Sequence, residues 1–134
     1  MASDLSETHE NGVSFELRLA SMEKVDGWER VTDPWNQPVW ISPVISLSNS
    51  DVAQASAEER GDTYSVGLLL NEEGMLKLAR LTKANIGKRV AVMLNGRVVS
   101  VPKIMDEIIQ GRAVIDGNFT EEEAQLVAKG IMEK

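Results

Sequence analysis

Two apolar, β-branched runs meet at an Asn–Gly pair: Arg89–Leu94 (RVAVML) and Arg97–Val101 (RVVSV) flank Asn95–Gly96. Both turn residues accept the positive φ angles of a type I′ turn, whose twist matches that of paired strands. The segment is therefore hard to build as anything but an antiparallel hairpin. Pro102, lacking a backbone donor, closes it. Any fold for this chain has to cover that apolar ribbon, and the remaining sequence is read for what can do so.

Val13 to Ala20 alternates strictly, with Val13, Phe15, Leu17 and Leu19 on one side and polar residues or alanine on the other, which predicts a half-buried strand. Residues 21–38 hold Gly27, Asp33, Pro34, Asn36 and Pro38 and read as a long irregular connection carrying Trp28 and Trp35. Val39–Leu47 reads as a second strand, at a sheet edge or bent at Pro43. Ser48 or Ser50 is placed to cap a helix over Asp51–Glu59 that ends at Gly61, and Thr63–Leu70 follows as a strand. Asn71 opens the clearest helix: Glu72 and Glu73 lie in its first turn, where the helix dipole favours acids. Met75, Leu78, Ala79 and Thr82 form its apolar stripe, and Asn85–Ile86–Gly87 stops it, with Gly87 as C-cap. Ile108–Ile115 predicts a further strand, broken by Gly117. Thr120 and Glu123 make a capping box for a last helix that buries Ala124, Val127 and Ile131. Mixed strands and helices without β-α-β repetition favour an α+β fold, with helices packed on one face of a mainly antiparallel sheet. Residues 1–12 are polar and read as a disordered tail, with neither the basic start nor the apolar stretch of a signal peptide. Residues 13–134 then make one domain.

Composition removes most chemistry. The chain has no cysteine and one histidine, so thiolate zinc sites, cysteine nucleophiles, iron–sulfur clusters and multi-histidine metal sites are excluded. No apolar run has the ~20 residues of a transmembrane helix. The net charge of −7 argues against a nucleic-acid partner. The charge is uneven: residues 1–67 hold 12 acids and 4 bases, residues 68–134 hold 9 and 10. No phosphate-binding glycine loop is present, and Ser42, Ser46 and Ser100 have no base to activate them. No cofactor is implied.

The motifs Asn85–Arg89 (NIGKR), Asn95–Gly96, Ser100–Val101–Pro102 and Ile115–Ala124 (IDGNFTEEEA) resemble the SecD family, within Leu81–Ile104 and Gly111–Ile131. SecD is the accessory membrane subunit of the bacterial preprotein translocase, and the resemblance is to the head of its large extracytoplasmic domain. Thr63–Ala79 is similar to that family's strand-then-helix segment, and Phe15–Leu19 to its opening strand. Asn95 stands where the family usually has Asp, and Val101 where it has Ala; both suit the local geometry. The resemblance implies the fold of the head, an extracytoplasmic (periplasmic) place, and a surface that touches an unfolded or emerging polypeptide. The proton-coupling transmembrane helices of SecD have no counterpart in this sequence. Elementary geometry accounts for Gly87, Asn95, Gly96, Pro102, Gly117, Thr120 and Glu123 as determinants of shape, with Phe119 placed to staple against Ala124.

Candidate binding residues are few. Trp28, Trp35 and Trp40 could form a contact surface, although in an aromatic-poor chain the plainer reading is core. Lys77, Arg80 and Lys83, continued by Lys88 and Arg89, could dock an acidic partner or lipid head groups, the plainer reading being a solvated helix face. His9, beside Glu7 and Glu10, is a weak metal candidate. Glu121–Glu123 are better read as helix-start acids, and Asp106 and Glu107 as solvated neighbours. Asn118–Phe119–Thr120 matches a glycosylation sequon but coincides with a helix start. The expected function is a non-enzymatic module binding a polypeptide or envelope protein, with an extended peptide added at a sheet edge near Pro43. The alternatives are a small-molecule-binding envelope domain using the 21–40 loop and its tryptophans as a lid, and an enzyme relying on carboxylates alone.

Overall fold

The computed structural model describes residues 12–133. The expected tail lies outside them except for Gly12, as does His9. The elements run β1 (Phe15–Ser21), β2 (Glu29–Thr32), β3 (Pro38–Ile41), β4 (Leu47–Ser48), a 3-10 turn (Asn49–Asp51), β5 (Val52–Arg60), β6 (Thr63–Leu70), α1 (Glu72–Ala84), β7 (Arg89–Leu94), β8 (Arg97–Ser100), β9 (Arg112–Phe119) and α2 (Glu121–Glu133). Every strand pairing is antiparallel, in two sheets. The first has the order β2-β3-β1-β7-β8, with β4 also paired to β1; the second is β5-β6-β9. The fold is α+β and mostly antiparallel, as the sequence implied, with two helices where the sequence suggested three.

The hairpin forms as read: Leu94 pairs with Arg97 across Asn95 (φ 52°) and Gly96 (φ 80°). Asn95 also ties the turn to the start of β1, since its N–H donates to the Ser14 carbonyl at 2.8 Å and its side-chain oxygen accepts the Ser14 N–H at 2.9 Å. β7 is apolar at nearly every position because both its faces are covered. Val90, Val92 and Leu94 enter the main core, which joins the two sheets and both helices, while Ala91 and Met93 enter a smaller cluster with Ala20, Val39, Ile41 and Val98. Burying a side chain such as Leu94, Ile115 or Ile131, each almost wholly inaccessible, contributes about 1.5–3 kcal/mol. Both helix starts are capped as expected: Asn71 accepts from Gly74 N–H at 2.9 Å, and Thr120 and Glu123 exchange two bonds at 2.9 and 3.1 Å.

Four expectations need correction. Asp51–Glu59 is not a helix. The cap is real, with Ser48 N–H donating to Asp51 at 3.0 Å, but the helical turn ends after three residues and Val52–Arg60 pairs with β6 along its length. The alanine- and glutamate-rich stretch has helix propensity, and strand pairing overrides it. The connection 21–38 contains β2, closed onto β3 by a tight turn in which the Asp33 carboxylate accepts Trp35 N–H at 2.9 Å and Gln37 N–H at 2.8 Å. The strand expected at Ile108–Ile115 lies at Arg112–Phe119, because residues 103–111 run along α1 instead: Ile108 N–H donates to Thr82 Oγ1 at 2.9 Å, and the Gly111 carbonyl accepts Leu70 N–H at 2.8 Å. Gly117 does not break this strand but sits within it. A Cβ there would lie 2.6 Å from the Phe119 ring, so the glycine lets that ring fold back over the strand. Finally, Val39–Leu47 is two short strands, both on β1, with Pro43 in the link between them; Ser42 and Ser46 N–H donate to Leu19 and Leu17 carbonyls at 2.9 and 2.8 Å.

Candidate functional site

Pro43 is therefore at a bend and also on the sheet margin, since the link that holds it and β4 pair with β1 alone. The strands with a free side are β2, β4 and β8 in the first sheet and β5 and β9 in the second. Three of these five, β2, β8 and β9, border one open cleft of about 820 Å³. The first sheet curls so that its own two edges face this space, and β9 supplies the third wall together with the first turn of α2. Val98 and Phe119, both buried, form an apolar floor, and Leu94, wholly inaccessible in the main core, lies behind it. Asp33, Arg97 and Glu123 supply polar groups at its margin. The Asp33 carboxylate is already held by the turn, and Glu123 by the α2 cap.

Trp35 stands over this cleft on the β2–β3 turn, 63% exposed. The turn holds it there: Asp33 fixes the backbone on both sides, Pro34 restricts φ, and Asn36 adopts φ 65°. The other two tryptophans are elsewhere. Trp40 faces Arg30 across the β2–β3 ladder, with the guanidinium 6.0 Å from the ring centroid, and Trp28 lies just before β2, its N–H bonded to the Val25 carbonyl. None of the three belongs to either buried cluster, so the core reading of these residues is not what the structure has. Of the three, only Trp35 lines the cleft.

The basic residues also divide. Lys77 is engaged, its Nζ 3.0 Å from the buried Asp51 carboxylate, and that hydrogen bond raises its pKa above the ordinary lysine value. Arg80 and Lys83 are exposed. Asp106 and Glu107 are exposed in the 103–111 segment. Ser42 Oγ accepts Val44 N–H at 3.1 Å, and no group of three or more acidic, histidine or cysteine side chains is disposed to hold a metal among the described residues. Asn118 adopts φ 53° and lines the cleft beside Phe119. Sequence reasoning missed β2, Val98 and Phe119 as cleft residues. The Asp33–Pro34 pair, a turn signal read only as loop, was the available sign of that hairpin.

These features define a class: an α+β domain of two antiparallel sheets and two helices whose cleft opens on strand edges. The family model of the SecDF P1 head subdomain matches residues 22–132, and the chain belongs to that family. The protein translocase subunit SecD of Sebaldella termitidis is 46% identical over 63 residues, 47% of this chain and 16% of that protein. SecDF of Thermus thermophilus is 40% identical over 93 residues, 69% of this chain and 12% of that protein. The chain thus spans a small part of the length of these relatives. A crystal structure of SecDF in a super-membrane-facing form superposes with a TM-score of 0.76 at 25% identity, covering 98% of this chain and 20% of that one. A second structure, of a membrane component SecDF that enhances protein export, gives the same score over 98% of this chain and 67% of that chain. Among the described residues, no helix is long and apolar enough to cross a membrane.

Proposed function

We propose that this domain is a non-enzymatic polypeptide-holding module of the SecD type, acting outside the cytoplasmic membrane and taking an extended, unfolded segment into the cleft below Trp35. One observation carries the reading: three strand edges border a cleft with an apolar floor and an exposed tryptophan. Strand edges offer unpaired backbone groups to any extended chain regardless of its sequence, the apolar floor accepts alternate side chains, and the tryptophan supplies area at low entropy cost. That combination suits a partner whose sequence varies and whose backbone does not. The relatives are named as protein translocase subunits, which supports an unfolded polypeptide as occupant. A small molecule under a tryptophan lid would use the same cleft, but strand edges offer it nothing that side chains do not.

Titration calorimetry with an unfolded export-type polypeptide, together with Trp emission, tests this. Binding is expected, and Trp35→Ala should weaken it roughly tenfold or more, as truncation of an anchoring aromatic does. Thr32→Lys, which places a charge on the exposed β2 edge, should weaken it as well with little change in stability. A small-molecule library that quenches Trp35 without competing against the polypeptide, or the absence of heat with any unfolded chain, would defeat the proposal.

A further inference from the structure

Two carboxylates are buried among the described residues, those of Asp51 and Asp33, and only one of them meets a cation. Asp51, 2% exposed, bonds to Lys77 Nζ at 3.0 Å and accepts the Ser48 N–H. Asp33 is 8% exposed, and no ion pair among the described residues engages it. The β2–β3 turn uses one of its two oxygens: Oδ1 accepts both the Trp35 and the Gln37 N–H. Oδ2 accepts from none of the described residues. Since no wholly buried side-chain oxygen among them is left unpaired, Oδ2 is open to the outside.

A carboxylate this deeply buried ordinarily has a charge partner, because taking it out of water is costly unless it is both paired and hydrogen-bonded. Here the partner has to come from outside, and the space that Asp33 lines is the cleft. The other charged residues lining that cleft are Arg97 and Glu123. Arg97 forms no ion pair with Asp33, and Glu123 has the same sign as Asp33 while it caps α2. Trp35 follows Asp33 by two residues and stands exposed over the same cleft. Its ring offers a cation an electron-rich face, and the stem of a long side chain an apolar one.

We propose that Asp33 and Trp35 form a subsite for a lysine side chain of the extended polypeptide in the cleft, its ammonium meeting Asp33 Oδ2 and its methylene stem lying along Trp35. This subsite presupposes that the cleft holds a polypeptide, as proposed above, and gives that occupant a residue preference. An ammonium fits better than a guanidinium. The bidentate fork of arginine needs both carboxylate oxygens, and Oδ1 already carries two N–H bonds. A glutamate at the same place in the polypeptide would meet a like charge.

Titration calorimetry of the 134-residue chain with unstructured peptides of alternating valine and serine, identical but for one central residue, tests it. The lysine peptide should bind about tenfold tighter than the glutamine peptide, as a hydrogen bond to a charged group allows. The glutamate peptide should bind more weakly than either, and the arginine peptide no tighter than the lysine one. Asp33→Asn keeps an oxygen for the two turn N–H groups and removes the charge. It should bring the lysine and glutamine peptides to equal affinity, whereas a residue needed only for the turn would leave their ratio unchanged. Circular dichroism checks that the variant folds, and the wild-type peptide series decides the matter even where it does not. Lysine and glutamine peptides that bind the wild type alike, an arginine peptide that binds tighter, or an undiminished ratio in Asp33→Asn would overturn the lysine subsite and leave the polypeptide cleft standing. Absence of heat with all four peptides would defeat both.

Discussion

Gly130 sits inside α2, where alanine is ordinarily the better residue by about 1 kcal/mol. Here the β1 lead-in passes directly over it: a Cβ would fall inside van der Waals contact of Val13 Cγ2 and 3.0 Å from Val13 N, whose N–H is bonded to the Gly130 carbonyl. Val13 is buried and β-branched, so it has little freedom to move aside. Overpacking of about 1–3 kcal/mol outweighs the gain in propensity, and Gly130→Ala should lower the urea midpoint; a midpoint equal to or above wild type would show that Val13 yields. Lys77 makes a different case at the same scale. Its hydrogen bond to Asp51 raises its pKa above 10.5, against the lesser opposing effect of desolvation. A cation whose folded pKa is raised stabilises fully below the unfolded value and loses that contribution as pH climbs through the folded one. Lys77→Gln should therefore be less stable than wild type at neutral pH, and the gap should narrow in strong alkali. A gap that stays constant across that range would mean that the ion pair is not its cause.

At the scale of elements, what was legible followed from how local each determinant is. The 95–96 hairpin and the Asn71 and Thr120 caps are decided within a few residues, and they stand as read; the helix also stops at Asn85–Gly87, but its C-cap is Asn85, while Gly87 takes the left-handed conformation and donates to Ile104. β5 was not legible, because Val52–Arg60 is a strand only by virtue of β6 beside it. The same cap that starts a helix elsewhere here starts a single turn, because the chain from Val52 onward is taken up by pairing with β6. β2 was hidden by its polarity: Glu29, Arg30 and Thr32 are exposed on an edge strand, and an edge needs no apolar alternation. The cleft was illegible for a related reason. Trp35, Val98 and Phe119 come from three segments 21 to 84 residues apart, and only the curl of the first sheet makes them neighbours. The family motifs were plain in the sequence because they are turns and caps; a surface assembled from edges leaves no such local mark.

For the molecule as a whole, the question is whether two sheets behave as one folding unit. The main core draws Phe15, Leu17 and Val92 from the first sheet, Val66, Leu68 and Ile115 from the second, Leu78 from α1 and Val127 from α2. If the sheets share that cluster, neither can lose it alone, and residues 13–134 unfold together as one domain. The tryptophans make this testable, because all three lie in or beside the β2–β3 hairpin of the first sheet, whereas circular dichroism sees both sheets. Ile115→Val removes one methyl group from the second sheet, at a position 1% exposed, and should cost about 1 kcal/mol. Trp emission and far-ultraviolet circular dichroism should then follow the same urea transition in wild type, and both should move to the same lower midpoint in the variant. Were the second sheet a separate unit, the variant's ellipticity would change first while Trp emission kept the wild-type midpoint. The sharing of the core also bears on the cleft, since β8 and β9 belong to different sheets and their spacing is fixed only while both are folded. Polypeptide binding by Ile115→Val should accordingly fall with the folded fraction and with nothing else.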